Sequence, residues 1–228
     1  MRLAGKGKPK LLLASRSPRR KELLRLLGMP FQVVVPDIRE DDRPDEDGAV
    51  QACALAARKA LTVARQSPAD LVIAADTLVV LENQAMGKPP DAGSAIAMLR
   101  ALRGREHSVI SGLAVVGPGN AEVAAQAVET TVWMREYRDE EIADYIARGE
   151  PFDKAGAYAI QDWRFHPVDR IEGCYANVMG LPLCHLFAML APQGLVPTPS
   201  LAGPWRACER HLERTCGVAE GILAAINH

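Results

Sequence analysis

The sequence is short of several things that would otherwise define its role at once. It has almost no net charge, with 27 lysines and arginines against 28 aspartates and glutamates, a formal balance of −1. No overall field therefore draws the chain to nucleic acid or to a membrane surface, and any anion site must be built locally. No apolar run is long enough to span a bilayer, because Asp76 interrupts the most hydrophobic stretch. The run Leu11 to Ala14, behind a basic segment from Met1 to Lys10, is too short for a signal-peptide core, so a cytoplasmic protein is expected. Cys53, Cys174, Cys184, Cys208 and Cys216 are odd in number and scattered, which argues for reduced thiols rather than a disulfide framework. A nucleotide P-loop is also missing: Gly87-Lys88 lacks the upstream glycine and the following Ser/Thr, and Gly5-Lys6-Gly7-Lys8 fails the pattern too. There is no internal repeat.

What is present is an ordinary globular composition, 48% apolar and 24% charged over 228 residues. Leu11 to Ala14 reads as a short buried strand. Pro18 to Leu27 reads as a helix with Ser17 as its cap and Gly28 as its stop. A second strand is expected over Phe31 to Val35 and a helix over about Ala49 to Arg65. A central strand, rich in Val, Ile and Leu, runs from Leu71 to Leu81 and turns at Glu82-Asn83-Gln84. Helices follow over Asp91 to Leu102 and Asp139 to Ala147, the latter stopped by Gly149. Between them lie two long strands, His107 to Val116 and Val123 to Met134, joined by the turn Gly117-Pro118-Gly119-Asn120. Strands alternating with helices, with hairpins mixed in, predict an α/β fold with a mixed sheet. Pro192 to Pro204 holds four prolines and two glycines in thirteen positions and reads as a linker. Beyond it, Trp205, Cys208, Leu212, Ala219, Leu223 and Ile226 fall on one face of a helix spanning 205–228.

The first feature with chemistry is Ser15-Arg16-Ser17-Pro18-Arg19-Arg20. Cations in a first helical turn oppose the helix dipole and cost a few tenths of a kcal/mol each, about 0.3 or more. An anionic ligand reverses that sign, and free N–H groups, two hydroxyls and guanidinium forks make a polyphosphate cradle. An ordinary helix start with a solvated arginine pair fits the same residues equally well. The second feature is Asp76, a carboxylate inside an apolar run, which has to be bonded or metal-bound. It suits a general base or a magnesium ligand, although a strand-end residue capping a turn is the commoner role for such an aspartate. Lys59, Lys88 and Lys154 are further phosphate contacts in prospect, though most lysines are simply solvated. The acidic cluster Glu40, Asp41, Asp42, Asp45, Glu46 and Asp47 offers oxygen ligands for magnesium or manganese, or else a solvated loop. Cys208, His211 and Cys216 lack a fourth zinc ligand, and His107, His166, His185 and His228 form no metal or triad spacing.

Taken in order, these segments resemble the Maf family of nucleoside triphosphate pyrophosphatases from about Leu11 to Leu190. The likeness rests on Ala14 to Leu24, Ala75-Asp76-Thr77, Gly87-Lys88-Pro89, Gly104 to Val109, Asp153 to Gln161 and Gly173 to Leu183. The resemblance implies a mixed, twisted sheet flanked by helices, two lobes with a cleft between them, and a homodimer. It divides the chain into a pyrophosphatase domain over 1–191, the linker over 192–204 and the terminal helix over 205–228. It implies Asp76 as the group that activates water, with Glu40, Lys59 and Lys88 in the same catalytic cleft. A divalent cation, Mg or Mn, would sit on Glu40 and Asp76. Ser15, Ser17, Arg20 and Lys154 would hold the substrate phosphates, while Arg19, Thr77 and Gln161 correspond to specificity positions whose pattern is similar to the subgroup acting on dTTP and UTP. Two other roles stay open from the sequence: a nucleotide-binding regulator of cell division or septum formation, and a pyrophosphatase for methylated or noncanonical nucleotides.

Overall fold

A computed structural model of the protein describes residues 9–38, 47–119, 122–193, 206, 208–210 and 216–224. Strand β1 (Leu11–Leu13) is three buried leucines. Helix α1 (Pro18–Arg25) begins where Ser17 Oγ accepts from the Arg20 N–H and Pro18 fills the first position. Gly28, at φ +69°, turns the chain into β2 (Phe31–Val33), after which Val34 N–H still donates to Leu13 O. Helix α2 (Gly48–Gln66) is capped by Asp47, whose Oδ1 accepts from the N–H groups of Ala49 and Val50 at 2.8 and 3.2 Å.

The central strand β3 (Leu71–Leu81) lies where the apolar run predicts it. Glu82 and Asn83, both at positive φ, form a two-residue hairpin loop into β4 (Gln84–Met86). Then come α3 (Ala92–Leu102), β5 (Glu106–Val116), β6 (Val123–Met134) and α4 (Asp139–Ala147), which ends before Gly149 at φ +76°. Strand β7 (Val168–Glu172) and helices α5 (Tyr175–Val178) and α6 (Leu183–Leu190) complete the described core. One seven-stranded sheet results, in the order β2-β1-β3-β5-β6-β7 with β4 on β3; β2, β1 and β3 run parallel and the remaining pairs antiparallel. The mixed sheet expected from the sequence is what the chain forms.

Period-two alternation on β3 sorts its side chains to two layers. Leu71, Ile73, Ala75, Val79 and Leu81 enter the larger core, which includes residues of α1, α3, α4 and α6. Val72 and Ala74 face the other way, against Ala56, Ala60, Val63 and Ala64 of α2. No described helix is long and apolar enough to cross a membrane.

The C-terminal extension departs from the single helix expected over 205–228. Residues 206 and 208–210 are helical and a helix resumes at Ala219–Ala224, but Cys216-Gly217-Val218 between them is not helical. Gly217 weakens helix there, and the Cys216 N–H donates at 2.7 Å to Glu209 Oε1. Of the expected linker, Pro192 and Gln193 belong to a 3-10 turn, Ala191–Gln193, and 194–204 lie outside the described residues.

Candidate active site

The cleft originates in an interruption along one edge of β3. Strand β5 pairs with β3 continuously from Val72 to Val80, so β1 and β4 must share the opposite edge. Strand β1 covers Leu71 to Ile73 and β4 covers Val79 to Leu81. Between them Ala74 to Leu78 has no strand partner on that edge among the described residues. A cleft of about 690 Å³ opens there, lined by the loop after β1, by Asp76 and Thr77, and by Lys88. That size suits a small-molecule ligand.

Asp76 lies on the α2 side of the sheet, in step with Ala74 and Leu78. The apolar stripe of α2, Ala52, Ala56, Ala60 and Val63, seats that helix on the sheet and brings Lys59 with it. Lys59 Nζ stands 2.5 Å from Asp76 Oδ1, with both side chains at or below 10% exposure. The close approach depends on Gly112, the β5 residue paired with Asp76: a Cβ there would lie 2.2 Å from the Ala52 carbonyl carbon and oxygen. Removing either charge would strand its partner away from water, at a typical cost of about 3–5 kcal/mol. Asp76 is therefore bonded in the strand interior rather than capping a strand end.

The Ser15–Arg20 loop forms an adjoining wall. Ser15 is buried and its Oγ accepts from the Ser17 N–H at 3.1 Å, while Ser17 caps α1. The backbone N–H groups of Arg16 and Arg19 have no protein partner among the described residues. The side chains of Arg19 and Arg20, in contrast, have protein partners. Arg20 Nε donates to Gly180 O and Nη2 to Thr77 Oγ1, each at 2.9 Å. Thr77 and Ser111 share a hydrogen bond of 2.8 Å, and Ser111 Oγ donates to Asn177 O, so the Thr77 hydroxyl is the donor to Ser111. The Asn177 amide continues the chain by donating to Val109 O and Thr130 Oγ1. Thr77 and Arg20 thus strap the loop to β3, β5 and α5.

Arg19 donates to Asp153 Oδ2 at 3.0 Å, and Lys154 Nζ donates to Asp153 Oδ1 at 2.6 Å and to the Glu150 carbonyl. Burial raises the Asp153 carboxyl, but Lys154 and Arg19 together outweigh it and hold it below the ordinary aspartate value. Lys88 is exposed at the cleft, and Gln161 is an exposed part of its lining. Every described residue that the sequence reading assigned to the site, from Ser15 to Gln161, therefore lines this cleft. Glu40 and most of its acidic cluster lie outside the described residues.

Sequence reasoning missed Asp153, the partner of Arg19, although it sits next to Lys154. It also missed His107, whose Nε2 makes a 2.7 Å hydrogen bond with the hydroxyl of Tyr158, itself part of the cleft lining. Burial lowers His107 to about 4, which keeps it neutral. No three His, Cys, Asp or Glu side chains among the described residues form a ligand set for a metal. Asp76 and Asp153 are the carboxylates that the described residues bring to the cleft.

Comparison with known proteins places this geometry in context. The model of the family described as Maf-like protein matches residues 10–193. A dTTP/UTP pyrophosphatase of Citrifermentans bemidjiense is 46% identical over 77% of this chain and 91% of its own. One from Geotalea uraniireducens is 46% identical over 83% of this chain and 98% of its own, and one from Thermomicrobium roseum is 47% identical over 83% and 87%. Among solved structures, a nucleoside-triphosphatase (dITP/XTP pyrophosphatase) of Mycobacterium abscessus matches at TM-score 0.37 and 21% identity over 56% of this chain and 75% of its own, too loose to carry argument.

Proposed function

The chain belongs to the Maf-like protein family, and from that membership we propose that it is an enzyme hydrolysing dTTP and UTP to the monophosphate and pyrophosphate, a cleansing step for the nucleotide pool. The observation that carries the chemistry is the buried Asp76 carboxylate, clamped by Lys59 at the uncovered edge of a sheet inside a cleft large enough for a small-molecule ligand. Asp76 orients a water in line with the α-phosphorus and accepts its proton as the new P–O bond forms. The bond from the α-phosphorus to the α–β bridging oxygen breaks, and pyrophosphate leaves with that oxygen. Lys59 fixes the carboxylate in a poorly solvated position through its 2.5 Å contact with Oδ1.

The triphosphate lies against the Arg16 and Arg19 amides at the start of α1 and near the Lys88 ammonium, which offset its charge. The Arg19–Asp153–Lys154 cluster closes that wall. A divalent cation, Mg or Mn, held by Asp76 together with phosphate oxygens, would supply further charge neutralisation on the leaving group. Gln161 both donates and accepts hydrogen bonds, so its amide can read the edge of a uracil or thymine ring.

The test is a substrate panel of dTTP, UTP, CTP and methylated GTP with Mg or Mn, scored by pyrophosphate release. Release from dTTP and UTP is expected. A preference for methylated GTP would overturn the substrate assignment, and tight UTP binding without pyrophosphate from any nucleotide would point to a regulatory protein instead.

A further inference from the structure

Trp163 is 78% exposed, although the turn that holds it is among the better braced parts of the surface. Asp162 Oδ1 accepts from the N–H groups of Arg164 and Phe165 at 3.1 and 2.7 Å, and its two carboxylate oxygens take the Arg148 guanidinium at 2.9 and 3.2 Å. The His166 N–H closes the turn on Asp162 O at 2.8 Å. Phe165 anchors it from below, buried and stacked on Tyr145 at 4.6 Å between centroids. A turn fixed at both ends thus sends one aromatic ring into the core and the other into solvent. An exposed indole on a rigid mount is a low-entropy binding element, since few motions are lost when a ligand covers it.

Its position gives that element a use. Trp163 lines a second hollow, about 350 Å³, together with Arg148, Glu150 and Arg164, and this hollow shares Ala159 and Gln161 with the main cleft. A nucleotide with its phosphates on the α1 loop and its base at Gln161 reaches the boundary between the two spaces. Arg164 lies 5.0 Å from the indole centroid, so one part of the ring carries a cation while most of the residue stays open.

We propose that this hollow is a base-stacking subsite, in which Trp163 packs against the flat face of the substrate's nucleobase while Gln161 reads its edge. The inference rests on the function proposed above and adds a binding residue to it. Stacking is sequence-tolerant, so Trp163 supplies affinity and Gln161 the choice of base. The base does not react, so the contact is equal in ground and transition states and belongs in KM rather than in kcat.

The experiment compares the whole chain with Trp163→Ala and Trp163→Phe, using UTP binding by calorimetry, steady-state hydrolysis of UTP, and inorganic triphosphate, which has no base, as a competitive inhibitor. The alanine variant is expected to weaken UTP binding and raise KM roughly 5- to 100-fold, with kcat within about twofold and the inhibition constant of triphosphate unchanged. The phenylalanine variant should recover most of the loss. Unchanged UTP affinity in Trp163→Ala overturns the proposal, as does an equal loss for UTP and triphosphate, which would mean a structural role. If wild type binds UTP without cleaving it and the alanine variant still weakens that binding, the stacking inference stands and the enzymatic reading falls. If wild type neither binds nor cleaves UTP, both fall.

Discussion

Lys59 and Asp76 can be removed separately and together, which makes the floor of the cleft measurable. In Lys59→Met the Asp76 carboxylate keeps about 10% exposure and loses an ammonium 2.5 Å away. At pH 7 it escapes by taking up a proton, which from an ordinary aspartate pKa of about 3.9 costs about 4 kcal/mol at about 1.36 kcal/mol per unit. In Asp76→Leu the stranded ammonium escapes by losing a proton, about 4–5 kcal/mol from an ordinary lysine pKa of about 10.4. Both ceilings match the roughly 3–5 kcal/mol typical of a broken buried pair. The double variant strands neither charge, so it should lose less than either single one. In a chain of this size, about 4 kcal/mol lowers the Tm by roughly 8–16 °C. Urea unfolding at pH 7 should find each single variant about 3–5 kcal/mol less stable than wild type, with a smaller loss in the double variant. Additive losses in the double variant would refute the coupling.

Four further outcomes are expected. Asp76→Asn should still bind UTP by calorimetry but lose about 10²- to 10⁴-fold in kcat, the usual share of a general base; near-normal turnover would remove Asp76 from that role. His107 is lowered from 6.5 to about 4 in the fold, so its contribution to stability is complete above pH 6.5 and is lost as pH falls through about 4. Thermal melts from pH 7 to pH 4 should therefore be less steep for His107→Gln than for wild type, by an amount on the order of 3 kcal/mol across the window. Gly112→Ala drives a methyl into the Ala52 backbone and should cost about 1–3 kcal/mol or more in urea unfolding, with a matching drop in turnover as α2 lifts Lys59 from Asp76. Thr77→Val leaves Arg20 Nη2 and Ser111 without a shared hydroxyl, and the same unfolding assay should read a loss of about 1–3 kcal/mol.

Thr77 also shows where sequence and structure part. Asp76 was legible because a charge inside an apolar run is costly enough to demand an explanation, and the strand bounds Leu71 and Leu81 followed from the same run. That Lys59 supplies the explanation was not legible, since the contact joins a helix to a strand and depends on a missing side chain on a third element, Gly112. The arginines of α1 present the same difficulty in reverse. As a string, Arg19 and Arg20 are two equivalent cations in a helix's first turn, and an anionic ligand is the natural remedy for both. The fold separates them: Arg20 is tied to Thr77 and Gly180, 57 and 160 residues away, while Arg19 is paired with Asp153 near the cleft. Short β4 and β7 escaped notice because three to five residues carry too little periodicity to stand out. The terminal helix was over-read for the opposite reason. Its apolar spacing continues across Gly217, but a stripe records only which face could be buried and says nothing about whether the backbone between stays helical. Local pattern therefore located the groups that needed partners, whereas the identity of each partner was set by strand register and by how closely α2 settles on the sheet. The Lys59–Asp76 contact rests on that second kind of information, which is why the Lys59, Asp76 and Gly112 variants test the cleft more sharply than substitutions in the loop that first drew attention.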